Sequence, residues 1–152
     1  MPAASPTTIH ASAILVGTRA VLIRGPSGSG KSRLVLSLLD AAAAGLFRFA
    51  RLVADDRVLL DASHGRLLAG PPGALAGLLE VRGLGLRRVA HEAPAQVGWV
   101  VDLAASGAER LPLQADRITT IAGVPLPRIA THACTDPAPV LVAALRTQEV
   151  AF

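Results

Sequence analysis

Gly25-Pro26-Ser27-Gly28-Ser29-Gly30-Lys31-Ser32 follows the apolar run Ala20-Val21-Leu22-Ile23-Arg24. It precedes a stretch with Leu34, Val35, Leu38 and Leu39 at helical spacing. The octapeptide satisfies G-x-x-x-x-G-K-[ST] in full, and each part has a chemical reason. Glycines let successive backbone N–H groups converge on phosphate oxygens. The helix that follows presents its unsatisfied donors and the positive end of its dipole to an anion. Lys31 is placed to reach terminal phosphates, and the Ser32 hydroxyl to ligate magnesium. Strand, glycine loop and helix in this order predict an α/β nucleotide-binding domain of the P-loop type.

Working outward, Thr7 to Val16 reads as one strand, turning at Gly17-Thr18-Arg19 into Ala20 to Arg24. The helix is expected from Lys31 to Ala44, with Gly45 as its stop. Ala50 to Ala54 is a second buried strand, closed by Asp55-Asp56. Val58 to Asp61 and Arg66 to Ala69 flank Ala62-Ser63-His64-Gly65 as a hairpin. Gln96 to Leu103 is a further strand, and Pro139 to Arg146 a short terminal helix. The succession predicts a mixed sheet.

Composition narrows the function classes. At 152 residues the chain is expected to form a single domain, residues 1–152. Its mean hydropathy of +0.48 supplies a core, yet charged residues, Pro or Gly break every run long enough to span a membrane. The start lacks a signal-peptide pattern, and the one cysteine, Cys134, allows no disulfide within the chain, so a cytoplasmic setting is expected. The net charge of +4 comes from scattered arginines with aromatics at only 3%, which argues against nucleic acid and for an acidic ligand or partner. Of fifteen basic residues Lys31 alone is lysine, at a site where a compact ammonium is not interchangeable with a guanidinium. His64, His91 and His132 show no ligand spacing with one another or with Cys134, so no zinc site is expected.

Asp55-Asp56 ends an apolar strand beside the loop, where α/β sheets place their ligands. Adjacent acids repel, which suits one of them to general acid/base work. Val100-Val101-Asp102 is a rival candidate for the acid that faces the metal. Further on, Leu79-Glu80-Val81-Arg82-Gly83-Leu84-Gly85 is expected as a strand with Glu80 and Arg82 on one face.

Ile9-His10, the octapeptide, Leu52-Val53-Ala54-Asp55-Asp56 and Leu79 to Gly85 together resemble the ordered motifs of bacterial HPr kinase/phosphorylase. The resemblance covers residues 9 to 128, the catalytic part of that family; its amino-terminal domain has no counterpart here. It implies a phosphoenolpyruvate carboxykinase-like fold, ATP and Mg2+ as cofactors, and transfer to a serine of the phosphocarrier HPr. It also implies removal of that phosphate by phosphorolysis, and a homo-oligomer, a hexamer in the family. Carried over, Asp55 is the base for the serine proton, His10 tunes it, Asp56 hydrogen-bonds nearby, and Glu80 with Ser32 holds magnesium. Arg128, in Val124-Pro125-Leu126-Pro127-Arg128, is the match for an arginine in a Pro-rich loop that assists phosphorolysis. Here it lacks the family's Pro-Gly-Arg-Asn context, and about seven extra residues precede Asp55. Two other readings of the same loop are a small-molecule kinase or NTPase, and a catalytically silent regulatory module.

Overall fold

The computed structural model describes residues 5–106 and 112–147. Strands β1 (Thr7–His10), β2 (Ser12–Val16) and β3 (Arg19–Arg24) lead into helix α1 (Lys31–Ala43). Then come β4 (Ala50–Ala54), β5 (Arg57–Ser63), β6 (Arg66–Gly70), β7 (Leu78–Val81), β8 (Gly85–Arg88) and β9 (Ala95–Asp102). Strands β10 (Ile118–Ile121) and β11 (Val124–Ala130) and helix α2 (Pro137–Arg146) follow. The architecture is a mixed α/β fold built on one curled sheet in the order β1-β5-β6-β9-β3-β2-β4, with β11 and β10 joined to it.

The curl starts at β9. One edge runs parallel to β3. The other edge takes β6 antiparallel at Ala95 and Gln96, then β11 parallel at Val100 to Asp102. Central strands are buried on both faces, which is why they read as unbroken apolar runs. Val21 and Ile23 pack with Leu34, Val35 and Leu38 of α1, whereas Ala20 and Leu22 pack on the opposite side with Val53, Val58 and Leu67. Helix α1 ends at Gly45, whose φ is 87°. The Gly45 N–H donates to the Ala42 carbonyl and the Leu46 N–H to that of Ala41, a Schellman stop that needs the left-handed residue.

Three expectations need correction. Thr7 to Val16 is two strands, not one: β1 pairs with β5, while β2 lies between β3 and β4. The chain passes from one flank of the curled sheet to the other at Ala11, whose N–H donates to the Asp56 carbonyl at 3.2 Å. Leu79 to Gly85 is not one strand. It is the β7–β8 hairpin, so Arg82 lies in the turn and shares no strand face with Glu80. Val124 to Arg128 is no loop: it forms β11, antiparallel to β10. Its prolines, Pro125 and Pro127, precede the point at Arg128 where β9 joins, so the missing N–H groups cost no bond to β9.

Candidate nucleotide-binding and phosphotransfer site

The loop of residues 25–30 connects the carboxyl end of β3 to α1. Helix α1 begins after Gly30 at φ 97°, with no capping side chain and no acidic residue in its first turn. Among the described residues no side chain caps that end and its first turn carries no acidic group, which suits it to an external anion. A side chain at Gly25 would crowd the loop: a Cβ there would lie 2.5 Å from Ser29 Oγ, forcing that hydroxyl to move, and 3.1 Å from Leu103 Cβ. Lys31 folds back over the loop, and its Nζ donates to the carbonyls of Gly25 at 2.8 Å and Pro26 at 3.1 Å. Burial lowers its pKa, opposed by the charges of Asp56 and Asp55.

The two aspartates part company. Asp55 is buried, and its Oδ1 accepts from Ser12 Oγ at 2.7 Å and from Ser32 Oγ at 2.8 Å. Its Oδ2 accepts the backbone N–H of Glu80 at 3.1 Å, which ties β7 to the end of β4. Asp56 takes φ 66°, a conformation aspartate tolerates, and turns outward. Its Oδ1 lies 3.0 Å from Nε2 of His10. His10 therefore contacts Asp56 and not Asp55, which differs from the expected tuning contact.

A cleft of about 650 Å³ joins these groups. Its walls carry His10, Ser12, Ser27, Gly28, Ser29, Gly30, Lys31, Ser32, Asp56 and Glu80, with Arg33 and Arg82 at the rim. Asp55 lies directly behind Ser12 and Ser32, and Gly25 and Pro26 form the floor under Lys31. Two sequence candidates are elsewhere. Arg128 Nε donates to Asp102 Oδ2 at 2.6 Å, and Arg24 donates to both oxygens of the same carboxylate, at 2.8 and 2.9 Å. Burial raises the Asp102 pKa, but the hydrogen bonds and charges of Arg24 and Arg128 outweigh it and hold the carboxyl below its usual range. Asp102 thus braces β3, β9 and β11 with its oxygens engaged, and neither it nor Arg128 lines the cleft.

Ser12 and Arg24 were not singled out from the sequence, although both left a signal. A serine inside Ala11-Ser12-Ala13 is a buried hydroxyl that needs a partner. Arg24 is the lone charge closing an apolar strand, and it too needs one.

Ser32 and Glu80 both line the cleft, and a hydroxyl and a carboxylate are hard oxygen donors of the kind Mg2+ takes. Among the described residues no three of His, Cys, Asp and Glu converge on one point.

Residues 2–93, well over half of the chain, match the family described as HPr Serine kinase C-terminal domain. The chain belongs to this family. Members similar to it include the HPr kinase/phosphorylase of Clostridium tetani, 40% identical over 80 residues, 53% of this chain and 24% of that protein. The enzyme of the same name from Bordetella pertussis is 37% identical over 135 residues, 81% of this chain and 41% of that protein. The chain therefore spans well under half the length of these curated relatives. Among solved structures, the Hpr(Ser) kinase/phosphatase from Coxiella burnetii superimposes with a TM-score of 0.71 at 27% identity. That match covers 91% of this chain and 93% of the other, so the likeness of fold extends well beyond the residues matched by the family.

Proposed function

We propose that this member of the HPr serine kinase family transfers the γ-phosphoryl group of ATP to a serine of an HPr-type phosphocarrier protein. One observation carries the reading. The glycine loop and Ser32, tied to Asp55, share a single cleft with the open Asp56–His10 pair. Phosphoryl transfer needs little beyond positioning, charge neutralisation and a proton acceptor, and all three are present there.

In the proposed division of work the loop N–H groups and Lys31 hold the β- and γ-phosphates, Lys31 leaving the Gly25 and Pro26 carbonyls to do so. Ser32 and Glu80 hold magnesium, with Asp55 fixing the Ser32 hydroxyl; when bound, the ion neutralises charge on the phosphates. The acceptor serine oxygen forms the new bond to the γ-phosphorus as the bond to the β-phosphate oxygen breaks. Its proton passes to a carboxylate. The resemblance gives that role to Asp55, but Asp55 already accepts three hydrogen bonds, whereas Asp56 is open to the cleft and backed by His10. The geometry thus favours Asp56 as proton acceptor and Asp55 as the group that positions Ser32. In reverse, an oxygen of inorganic phosphate entering the same cleft bonds to the phosphoserine phosphorus as the bond to the serine oxygen breaks; the serine oxygen regains its proton from the carboxylate, and pyrophosphate leaves. Lys31, Arg33 and Arg82 are the cations on the cleft walls, since Arg128 is held by Asp102.

The phosphoenolpyruvate carboxykinase-like P-loop class, a cytoplasmic setting and a homo-oligomer belong to the same proposal. Among the described residues no helix is long and apolar enough to cross a membrane. The deciding experiment incubates the protein with γ-labelled ATP, magnesium and HPr. Label on an HPr serine is expected; its absence while ATP is hydrolysed would turn the reading toward a different acceptor.

A further inference from the structure

A second cleft, of about 280 Å³, opens beside the first between the amino-terminal half of α1 and the loop joining β11 to α2. The two share Ser29, Gly30, Arg33 and Ala133, so they form one corridor across the loop. Their chemistry differs. His10, Asp56 and Glu80 belong only to the first cleft, and none of them reaches the second. A nucleotide lying in the loop with its terminal phosphate at those groups must send its other end past the first turn of α1. That direction leads into the second cleft.

The walls there suit a nucleoside. Leu34 and the methyl of Ala133 supply apolar contact, and the planar guanidinium of Arg33 stands at the junction, where it can stack on an aromatic base. Thr135 and Asp136 bring a hydroxyl and a carboxylate of the kind that bonds ribose oxygens. One Asp136 oxygen, Oδ1, already caps α2 through the Ala138 N–H at 3.1 Å, which anchors that wall. The volume is near the lower end of the roughly 300–1,000 Å³ common for small-molecule sites.

We infer that the nucleoside of the donor nucleotide occupies this second cleft, with Cys134 at its rim. The inference rests on the loop being the phosphate site, and the test separates the two. Cys134 is the only cysteine in the chain and is exposed, so its alkylation by iodoacetamide is an unambiguous reporter. Calorimetry first measures the affinity of the wild type for magnesium ATP and for magnesium inorganic triphosphate. At about ten times its dissociation constant ATP should slow alkylation roughly tenfold by mass action, while triphosphate, which fills only the loop, should not. Alkylation at the free rate with ATP bound would overturn the placement and leave the phosphate site standing. Equal protection by bound triphosphate would overturn it as well, because protection would then not come from the nucleoside. Failure of both ligands to bind would remove the loop reading and this inference together. As a second probe, Ala133→Phe places bulk at an exposed position where the clefts meet. It should weaken ATP by about tenfold or more through lost shape fit, with triphosphate unchanged. Unaltered ATP affinity in that variant would contradict the inference.

Discussion

Nε2 of His10, at the end of β1, lies 3.0 Å from Oδ1 of Asp56, in the bend between β4 and β5, two residues 46 apart in the chain. It places a histidine behind the one carboxylate of the Asp55-Asp56 pair that faces the cleft. Asp56→Asn should therefore retain nucleotide binding, having lost a negative charge beside the phosphates, and lose transfer by about 10²–10⁴-fold. His10→Ala should cost less, since it acts only through Asp56. Steady-state transfer to HPr and ATP titration of the same samples check the split. Normal transfer by Asp56→Asn, with transfer abolished in Asp55→Asn, would return the proton to Asp55.

Lys31 spends its hydrogen bonds on its own loop, so its replacement should be tolerated by the fold and not by the ligand. Lys31→Ala should melt near the wild-type temperature without ATP. It should then lack the stabilisation of about 2.7 kcal/mol that a hundredfold excess over the dissociation constant confers. Lys31→Arg should fail similarly, because a forked guanidinium does not fit a space shaped for an ammonium. A full ATP-induced thermal shift in the alanine variant would overturn the phosphate-loop reading.

Glu80 touches Asp55 only through its backbone N–H, which leaves its carboxylate free for the cleft. Glu80→Gln preserves that backbone bond and the shape while removing the charge magnesium needs. The magnesium concentration for half-maximal transfer should rise several-fold, with little change in thermal stability. A titration curve that overlays the wild type would exclude Glu80 as a ligand.

Asp102 carries a structural prediction with a definite pH sign. Its folded pKa is lowered, so its contribution is complete above the ordinary value of 3.8 and is lost as pH falls through the lowered value. Asp102→Asn leaves Arg24 and Arg128 facing each other without a counter-charge. At pH 7 the loss should be about 1–3 kcal/mol, below the full cost of a buried pair because the groups are partly exposed. Urea melts of both proteins should converge as pH falls below 3.8. A stability gap that stays constant down to pH 2 would show that the ion cluster is not its source.

The sequence by itself determined the parts whose information is local. The octapeptide, the 3.6-residue periodicity of α1, the stop at Gly45 and the doubly buried strands around Val21 and Leu52 follow from backbone sterics and the burial of apolar faces. The hairpin of β5 and β6 is equally local, for His64 and Gly65 take the two positive φ angles its tight turn requires. Only the tertiary structure decided which distant groups meet. Neighbouring residues at a strand end point in different directions, so Asp55 turns in toward Ser12 and Ser32 while Asp56 turns out to His10. Nothing in the spacing of those residues announces the division. The curl at β9 likewise brings Arg24 to Asp102 across 78 residues and Arg128 across 26, taking an expected phosphate-site arginine away from the cleft. Such pairings depend on strand order and register. Those are settled by the packing of the whole sheet, which no single stretch of the chain encodes.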